Sequence, residues 1–391
     1  MNQVISTERV PIKMWLGDME EGALEQAKNL ANLPFVFKHI AIMPDSHLGY
    51  GMPIGGVMAT HGVIVPNAVG VDIGCGMCAV KTSLTEISQE NLKKIMGGIR
   101  QVVPVGFNHQ KEKQDIHLLP VGTPNAYTVI EREIENARTQ IGTLGGGNHF
   151  IEIQKGSDGF IWIMIHSGSR NLGLQVASHY NKLAEELNEK YFSSITKDKQ
   201  LAFLPLDIQE GQDYLIEMKY CVDFALANRR LMIENILKVF GNVLGEYSCS
   251  TEYSADGILN IAHNYAVMEN HFNTNVIVHR KGATKASAGL VGIIPGSMGT
   301  KSYIVEGLGN KESFESCSHG AGRKMGRKQA INTLDLAHEQ EIMKDILGAP
   351  RVKDDLQEAS GAYKDIDVVM ENQKDLVKIL VELHPLAVIK G

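Results

Sequence analysis

The sequence has few cysteines, few tryptophans and no excess of positive charge. Its 391 residues include 5 cysteines and 2 tryptophans, and 38 basic against 45 acidic residues give a formal net charge of −7. The odd number of cysteines argues against a disulfide framework and favours a reducing compartment. The negative charge excludes a uniformly basic coat for nucleic acid, although it leaves room for a local basic patch.

Long hydrophobic stretches are also missing. No apolar run reaches the ~20 residues that a transmembrane helix needs, and the longest, such as Phe160–Ile165, have the length of a strand. The chain opens with a polar, charged segment instead of the apolar core of a secretory signal. We therefore expect a cytoplasmic protein that does not enter a membrane.

Repeats of fixed period, low-complexity linkers and a GxGxxG motif after a first strand are absent from the sequence. A Rossmann domain is therefore disfavoured. The polar motifs are spread from residue 44 to residue 390, and they form one site only if distant segments converge. The sequence thus predicts an α+β fold in one integrated catalytic domain that spans residues 1–391.

Local patterns predict the individual elements. Short runs rich in Val, Ile and Phe predict seven strands: Phe35–Ile42, Val57–Val65, Phe150–Ile153, Phe160–Ile165, Asn275–Val278, Ser302–Val305 and Leu386–Ile389. Longer segments predict eight helices: Glu20–Ala31, Gln89–Gln101, Asn125–Gln140, Leu174–Tyr191, Asp213–Phe240, Gly322–Thr333, Glu339–Leu347 and Asp367–Leu383.

Glycine, in contrast, is abundant, with 39 residues that cluster beside Asp, Asn, Ser and His. In the densest segment, VGVDIGCGMC, the anionic metal ligands Asp72 and Cys75 stand on one glycine-rich turn. Cys75 and Cys78 also form a CxxC, but the second CxxC of a structural zinc site is missing. A mixed Asp/Cys metal site, a zinc or redox pair and inert buried cysteines all remain open at this point.

Four of the fourteen histidines stand out because glycine-rich or polar loops adjoin them: His149, His166, His263 and His319. A weaker fifth is His47. The first three, with the Asp/Cys turn, offer nitrogen, sulfur and oxygen donors, a set that suits Mn, Zn, Fe or Co better than Mg or Ca. Two such ions close together would activate a phosphoryl group. The alternative is that these are independent loop residues.

His319 has a different setting. It follows the turns GSMGT and GLGN and lies in CSHGAGRK, and such glycine-rich turns can present backbone N–H groups to phosphates. The predicted helix Gly322–Thr333 would begin just after it and favour an anion at its N-terminus. A neutral imidazole there can attack phosphorus and form a phosphoramidate. The alternative is a histidine without a chemical task.

Four cations within six residues form a basic run: Arg323, Lys324, Arg327 and Lys328. At these spacings they would share one helix face, which is either solvated or placed against an RNA backbone. A second, weaker basic cluster contains Arg280, Lys281 and Lys285.

Eleven motifs follow one another along the chain: MPDSHLGYG, VGVDIGCGM, GGGNHFIE, HSGSRNLG, HNYA, RKGAT, IPGSMGTKSY, GLGN, CSHGAGR, AYKDID and the terminal IKG. In this order they resemble the RtcB-type RNA ligases from about residue 10 to the end. The resemblance implies a mixed α+β fold with central sheets, flanking helices and a deep catalytic cleft. It also implies an enzyme that uses GTP and Mn²⁺ to join an RNA 3′-phosphate or 2′,3′-cyclic phosphate to a 5′-hydroxyl.

The resemblance assigns roles to matching positions. Cys75 would bridge two Mn²⁺ ions, with His149 and His166 completing one metal site and Asp72 and His263 the other. Cys78 would be a structural thiol. The nucleophile that takes GMP from GTP would be His319. The nucleotide would be contacted by Asn148, Glu152, Asn264, Ser297, Ser302, Ala321, Gly322, Tyr363 and Lys390.

The implied partners are GTP and broken tRNA or rRNA, with a helper protein for guanylylation as a further expectation. Two alternatives remain. A Mn-dependent RNA-end phosphodiesterase or phosphatase would keep the five metal ligands but would not need His319, and a third class is a protein that binds RNA ends without catalysis. The intact SHGAGRK and the penultimate Lys390 favour the ligase.

Overall fold

Two large sheets dominate the computed structural model, which describes residues 1–122, 128–250, 253–350 and 352–391. The helices within these ranges are α1 Glu21–Ala31, α2 Gln89–Val102, α3 Val129–Gln140, α4 Arg170–Lys190, α5 Gln209–Leu244, α6 Arg327–Thr333, α7 Leu336–Ile342 and α8 Ile366–Glu371. All eight predicted helices overlap one of these. The first residues of the predicted helix Asn125–Gln140, 125–127, lie outside the described part of the chain.

Strands and helices follow one another along the chain without the regular alternation of a βαβ fold. The strands are β1 Gln3–Ile5, β2 Ile12–Met14, β3 Val36–His47, β4 Ile54–Thr60, β5 Val63–Ile64, β6 Gly76–Lys81, β7 Phe150–Gly156, β8 Ile161–Ser167, β9 Leu204–Pro205, β10 Leu259–Ala262, β11 Asn264–His271, β12 Thr274–Lys281, β13 Ala283–Lys285, β14 Val291–Ile294, β15 Ser302–Gly307, β16 Ser316–Ser318 and β17 Val377–Lys390. Each of the seven predicted strands overlaps one of them.

Antiparallel pairing prevails in both large sheets. The first has the order β1-β2-β3-β4-β12-β11 and the second β10-β6-β8-β7-β17-β15-β14. Within the described residues, β2 and β3 form the parallel pair, whereas the neighbours of β17, which are β7 and β15, are both antiparallel to it. The α+β class is therefore confirmed, and the expectation that no Rossmann domain is present agrees with this topology.

The long final strand corrects one prediction. The helix predicted over Asp367–Leu383 ends at Glu371, and β17 begins at Val377. This segment reads VKILVEL, a dense apolar run that fits a helix or a buried strand equally well. The strand is favoured because two neighbouring strands satisfy its backbone on both sides.

The helix predicted over Gly322–Thr333 is also shorter, since α6 begins only at Arg327. Gly322 has a φ of +73°, and a Cβ there would lie 2.0 Å from the carbonyl oxygen of Asp45. The chain at this point therefore forms a loop pressed against β3, which a continuous helix would not allow. Similarly, the strand predicted over Val57–Val65 divides into β4 and β5, because Gly62 turns the chain with a φ of +65°.

The 36-residue helix α5 packs against the three strands at the β10 side of the second sheet. These strands, β6, β8 and β10, adjoin or contain Cys75, His166 and His263 respectively. The approach is close: at Gly74, whose φ is +75°, a Cβ would lie 2.8 Å from the Cα of Val222. Glycine before Cys75 is therefore what lets the helix reach this loop.

In the described part of the chain, none of the helices combines the length and apolar character needed to span a bilayer.

Candidate active site

One cavity of about 530 Å³ gathers most of the motifs. Its lining includes most of the singled-out residues: Asp72, Cys75, Asn148, His166, His263, Asn264, Ser297, His319, Ala321, Gly322, Arg323, Lys324, Arg327, Tyr363 and Lys390. Four others are not part of the lining: His149, Glu152, Ser302 and Lys328. Segments that are hundreds of residues apart therefore do converge on one site.

The second sheet and its loops deliver the candidate metal ligands. Cys75 directly precedes β6 and His149 directly precedes β7, while His166 lies at the end of β8 and His263 separates β10 from β11. The strand pairs align these ends, since His166 is opposite Met77 and Phe150. The ligand-bearing residues consequently lie at the same end of these neighbouring strands.

The five candidate ligands form a chain of close contacts. The Cys75 Sγ lies 3.3 Å from His166 Nε2 and 3.5 Å from His149 Nε2. The Asp72 Oδ2 lies 3.1 Å from His149 Nε2, and His263 Nε2 lies 3.4 Å from His166 Nε2. The ligand atoms of Cys75, His149 and His166 all fall within 4.8 Å of one another.

Two backbone carbonyls orient these imidazoles. His149 Nδ1 donates to Leu144 O at 3.0 Å and His166 Nδ1 donates to Asn148 O at 3.2 Å. In the neutral tautomer that these bonds select, each Nε2 carries a lone pair and faces other electron-rich atoms. Convergent acceptors repel one another unless a cation or proton lies between them. The arrangement therefore fits a metal site.

Burial controls the charge state of the same groups. Removal from water lowers the pKa of His166 and of His263 well below the ordinary histidine value, with further lowering from neighbouring imidazoles. Both rings are therefore neutral and able to donate a lone pair at pH 7. Burial, followed by the charge of Asp72, raises the pKa of the Cys75 thiol. A cation at this position would reverse that effect and favour the thiolate.

Cys78 lies elsewhere. It is fully buried on β6 among aliphatic side chains, in a cluster that includes Val80, Ile163 and Ile236. Burial raises the pKa of its thiol to about 12. It belongs to the hydrophobic core, so neither a zinc nor a redox role for the CxxC finds support in this surrounding.

His319 is held by a carboxylate that the sequence analysis did not single out. Its Nδ1 lies 2.6 Å from Asp45 Oδ2, which also accepts from the backbone N–H groups of His319 at 3.1 Å and Gly320 at 3.3 Å. The Asp45 side chain is fully buried. In the neutral form, a proton on Nδ1 is directed to the carboxylate and the lone pair is on Nε2. The ring centroid of His319 lies 4.7 Å from that of His263.

His319 does not adjoin a helix N-terminus, so that prediction was wrong. Because α6 begins only at Arg327, His319 is followed by the loop 320–326 and not by the first turn of a helix. Its own N–H and that of Gly320 are also already bonded to Asp45. What distinguishes His319 is therefore the carboxylate partner and not a helix dipole. His47, the weaker fifth histidine, also lines the cavity, and burial lowers its pKa to about 4.

Several predicted nucleotide contacts already have protein partners. Asn264 donates to Asp72 O at 3.0 Å and accepts from Gly282 N at 2.7 Å. Ser302 is not part of the lining, and its Oγ accepts from Gly296 N at 3.1 Å. Ser297 Oγ is 3.0 Å from Thr300 Oγ1. These bonds fix the loop conformations around the cavity.

Glu152 and Lys390 lie on the neighbouring strands β7 and β17, and of the two Lys390 lines the cavity. Lys390 pairs with Phe150, two residues from Glu152 on β7. Burial raises the pKa of Glu152 to about 8 despite the opposing charge of Lys390, and burial lowers the pKa of Lys390. Gln154 Nε2 donates to the Glu152 carboxylate at 2.6 Å. The second oxygen of the carboxylate is not engaged in this bond.

A second carboxylate missed from the sequence, Glu358, organises the basic side chains. It lies 3.2 Å from Arg323, 2.9 Å from Arg327 and 4.0 Å from Lys390, and it accepts a hydrogen bond from the Tyr363 hydroxyl. It stands in a short 3₁₀ segment, Lys353–Glu358, that carries no motif. Only its position in space reveals it.

The basic run does not share one helix face, which corrects another prediction. Arg323 and Lys324 precede α6, so only Arg327 and Lys328 belong to it. In the second, weaker basic cluster, Arg280 is fully buried and lies 2.7 Å from the Glu269 carboxylate.

Arg170, in the HSGSRNLG motif, is a further residue missed from the sequence. A Cβ at Gly145, whose φ is +90°, would lie 1.9 Å from its Nη1 and 2.8 Å from His149 Nδ1. Glycine is therefore required where this guanidinium passes the His149 loop.

The sequence resembles known proteins over almost its whole length. A family model described as "tRNA-splicing ligase RtcB" matches residues 26–122 and 121–391. The RNA-splicing ligase RtcB of Escherichia coli K12 is 38% identical over 407 aligned residues, with 100% of this chain and 99% of the relative covered. The tRNA-splicing ligases RtcB of Thermococcus kodakarensis and Methanococcus maripaludis are 32% and 33% identical, each with 98% of this chain and 95% of the relative covered.

Proposed function

Since this chain belongs to the RtcB family of RNA-splicing ligases, we propose that it joins an RNA 3′-phosphate or 2′,3′-cyclic phosphate to a 5′-hydroxyl with GTP and Mn²⁺. The observation that carries the proposal is the His319–Asp45 pair. An imidazole whose Nδ1 is bonded to a buried carboxylate stands beside His263, one of the candidate metal ligands, and both rings line the same cavity. A hydrolase with the same ligands would not require this pair.

The proposed metal ligands are Asp72, Cys75, His149, His166 and His263. Their mixed oxygen, sulfur and nitrogen donors suit Mn²⁺. When bound, two such ions would neutralise charge that develops on the phosphoryl oxygens. The protein's own contribution is to hold the donor atoms in place through the two Nδ1 bonds to Leu144 O and Asn148 O.

In the first proposed step, His319 Nε2 attacks the α-phosphorus of GTP, a phosphorus–nitrogen bond forms and pyrophosphate leaves. The imidazole gains positive charge as this bond forms. Asp45, which already accepts from Nδ1 at 2.6 Å, stabilises that charge and holds the ring in orientation. Asp45 therefore acts through His319 as a positioning residue.

In the second step, an oxygen of the RNA 3′-phosphate attacks the guanylylated His319 and takes GMP, which gives an RNA–ppG end and frees the imidazole. In the third step the 5′-hydroxyl attacks the activated phosphate, a phosphodiester forms and GMP leaves. A 2′,3′-cyclic end is first opened by water. His319 Nε2 takes part only in the first two steps: it uses its lone pair to form the phosphorus–nitrogen bond and recovers the pair when that bond breaks.

The nucleotide would occupy the end of the cavity near Lys390. Glu152 would accept from the guanine edge, Tyr363 would pack on the base, and the remaining contacts would come from Asn148, Asn264, Ser297, Ser302, Ala321 and Gly322. The RNA would meet Arg323, Lys324, Arg327 and Lys328. We further propose one catalytic domain over residues 1–391, fragments of tRNA or rRNA as substrates, a helper protein for guanylylation and a cytoplasmic location.

The decisive experiment compares the native protein with His319→Ala after incubation with α-labelled GTP and Mn²⁺. We expect the native protein to retain acid-labile label, and His319→Ala to retain none while it still seals RNA supplied with a preformed ppG end. His338→Ala, at an exposed histidine on α7, is the matched control and should label normally. Hydrolysis of the RNA end without retained label would favour the Mn-dependent phosphodiesterase or phosphatase. Label on His263 or His166 would refute the assignment.

A further inference from the structure

Two adjacent polar side chains on the buried face of α5, Asn228 and Arg229, lie beneath the loops that carry the candidate metal ligands. Both residues are fully buried. Among the residues that the structure describes, no carboxylate lies within ion-pair distance of Arg229, and its Nη2 has no hydrogen-bond partner. A buried guanidinium without a directly paired carboxylate is costly, so its position needs a reason.

Asn228 bonds the backbone of two loops at once. Its Oδ1 accepts from Gly142 N at 2.7 Å and from Thr143 N at 3.1 Å. Its Nδ2 donates to Thr143 O at 3.2 Å and to Gly168 O at 3.1 Å. The first loop continues to Leu144, whose carbonyl orients the imidazole of His149.

Arg229 joins the second of these loops to a third. Its Nη1 donates to Gly74 O at 2.9 Å and to Ser167 O at 2.8 Å. Gly74 directly precedes Cys75, and Ser167 directly follows His166. Its Nε donates to Asn260 Oδ1 at 2.8 Å, and Asn260 is in turn fixed by donating to Leu226 O.

The three loops thus receive hydrogen bonds from two neighbouring residues of one rigid helix. Each bonded backbone group lies within two residues of a candidate ligand or of the carbonyl that orients one. We propose that Asn228 and Arg229, the helix brace, set the spacing of Cys75, His149 and His166 before metal binds. This inference rests on the proposed metal-dependent function, and it makes both members positioning residues that touch neither substrate nor metal.

The expected consequence is on metal affinity. If the brace loosens, the convergent donor atoms can move apart to relieve their repulsion, and metal binding must then bring them together again. Substitution of groups that support metal ligands typically lowers metal affinity by about 10- to 100-fold. We expect such a loss for Arg229→Met and Asn228→Asp, and a smaller loss for Arg229→Lys, which keeps a donor for the two carbonyls.

The test is a titration of metal-free protein with Mn²⁺, with the free ion followed by electron paramagnetic resonance. Arg230→Met is the matched control, because Arg230 is the next residue on α5 but is half exposed and paired with Glu234 and Asp256. It should bind Mn²⁺ as the native protein does. Thermal unfolding in EDTA checks the fold of each variant, and excess Mn²⁺ should restore guanylylation in Arg229→Lys.

Native-like Mn²⁺ affinity in a folded Arg229→Met variant would overturn the inference. Should that variant fail to fold, Arg229→Lys and Asn228→Asp decide, and native-like affinity in both would overturn it equally. A native protein that binds no Mn²⁺ overturns the inference together with the proposed metal site. If the native protein binds Mn²⁺ and a brace variant binds it equally well, the inference is overturned while the proposed metal site stands.

Discussion

The substitution Asp45→Asn tests the origin of nucleophilicity at His319. It keeps the shape of the side chain and removes its charge. At present one oxygen, Oδ2, accepts the Nδ1 bond at 2.6 Å and two backbone N–H bonds at 3.1 and 3.3 Å. An asparagine oxygen can still accept from the two backbone groups, so the loop should keep its conformation. The charge-assisted bond to the imidazole is what is lost.

The size of the effect follows from the value of that bond. Hydrogen bonds to charged groups contribute about 1.5–3 kcal/mol, and each 1.4 kcal/mol corresponds to a tenfold change in rate. Guanylylation should therefore slow by roughly 10- to 100-fold, because the carboxylate stabilises the imidazolium as the phosphorus–nitrogen bond forms. Sealing of a preformed ppG end should be almost unchanged, since that step does not use the nucleophile.

Single-turnover quench of label transfer from α-labelled GTP measures the first effect, and ligation of ppG-ended RNA to a 5′-hydroxyl strand measures the second. Asp375→Asn provides a control, since Asp375 is a remote carboxylate that accepts from Trp15. Guanylylation of Asp45→Asn at the native rate would refute the positioning role. An equal loss in both assays would instead indicate damage to the whole cavity.

Three other perturbations separate the remaining parts of the site. Cys75→Ala should lose bound Mn by elemental analysis and all nucleotidyl steps, whereas the buried Cys78→Ala should keep its metal. Burial raises the pKa of Glu152 from 4.5 to about 8. Between these pH values the folded protein binds one proton more than the unfolded chain, so its free energy of unfolding falls as the pH rises. In urea unfolding, Glu152→Gln should remove this decline. The double charge reversal Lys324→Glu, Lys328→Glu should reduce the salt dependence of RNA binding by about one counterion per lost phosphate contact, and an unchanged slope would make these lysines a solvated surface.

The sequence is informative about this site where chemistry is local. Metal-type donors placed between a glycine-rich loop and a strand mark Cys75, His149 and His166, and the structure brings all three within 4.8 Å. The same reasoning locates His319 at the cavity. Loop and strand are adjacent in sequence, so one short window contains both the reactive group and the element that holds it.

Partners that come from distant segments are not accessible in this way. Asp45 and His319 are separated by 274 positions, and Glu358 stands in a 3₁₀ segment without a motif. The MPDSHLGYG segment contains both Asp45 and His47. Nothing within the segment distinguishes Asp45 from an ordinary loop carboxylate. The pairing that fixes a tautomer depends on tertiary packing, which a window of sequence does not contain.

Helix α5 is a second case in which the sequence pattern predicts the element but not the contacts of its polar side chains. Its periodicity predicts a buried apolar face, and one face of the helix is indeed buried: Met218 is buried, while Leu215 and Val222 are partly buried. On that face Asn228 and Arg229 are polar residues at positions where the helical period predicts apolar ones. Buried polar side chains are normally hydrogen-bonded, and the bonds that this pair forms end mainly on the backbone of ligand-bearing loops. Two polar residues on the apolar face of a helix therefore indicate that the helix has a task besides packing, because packing alone is better served by apolar side chains.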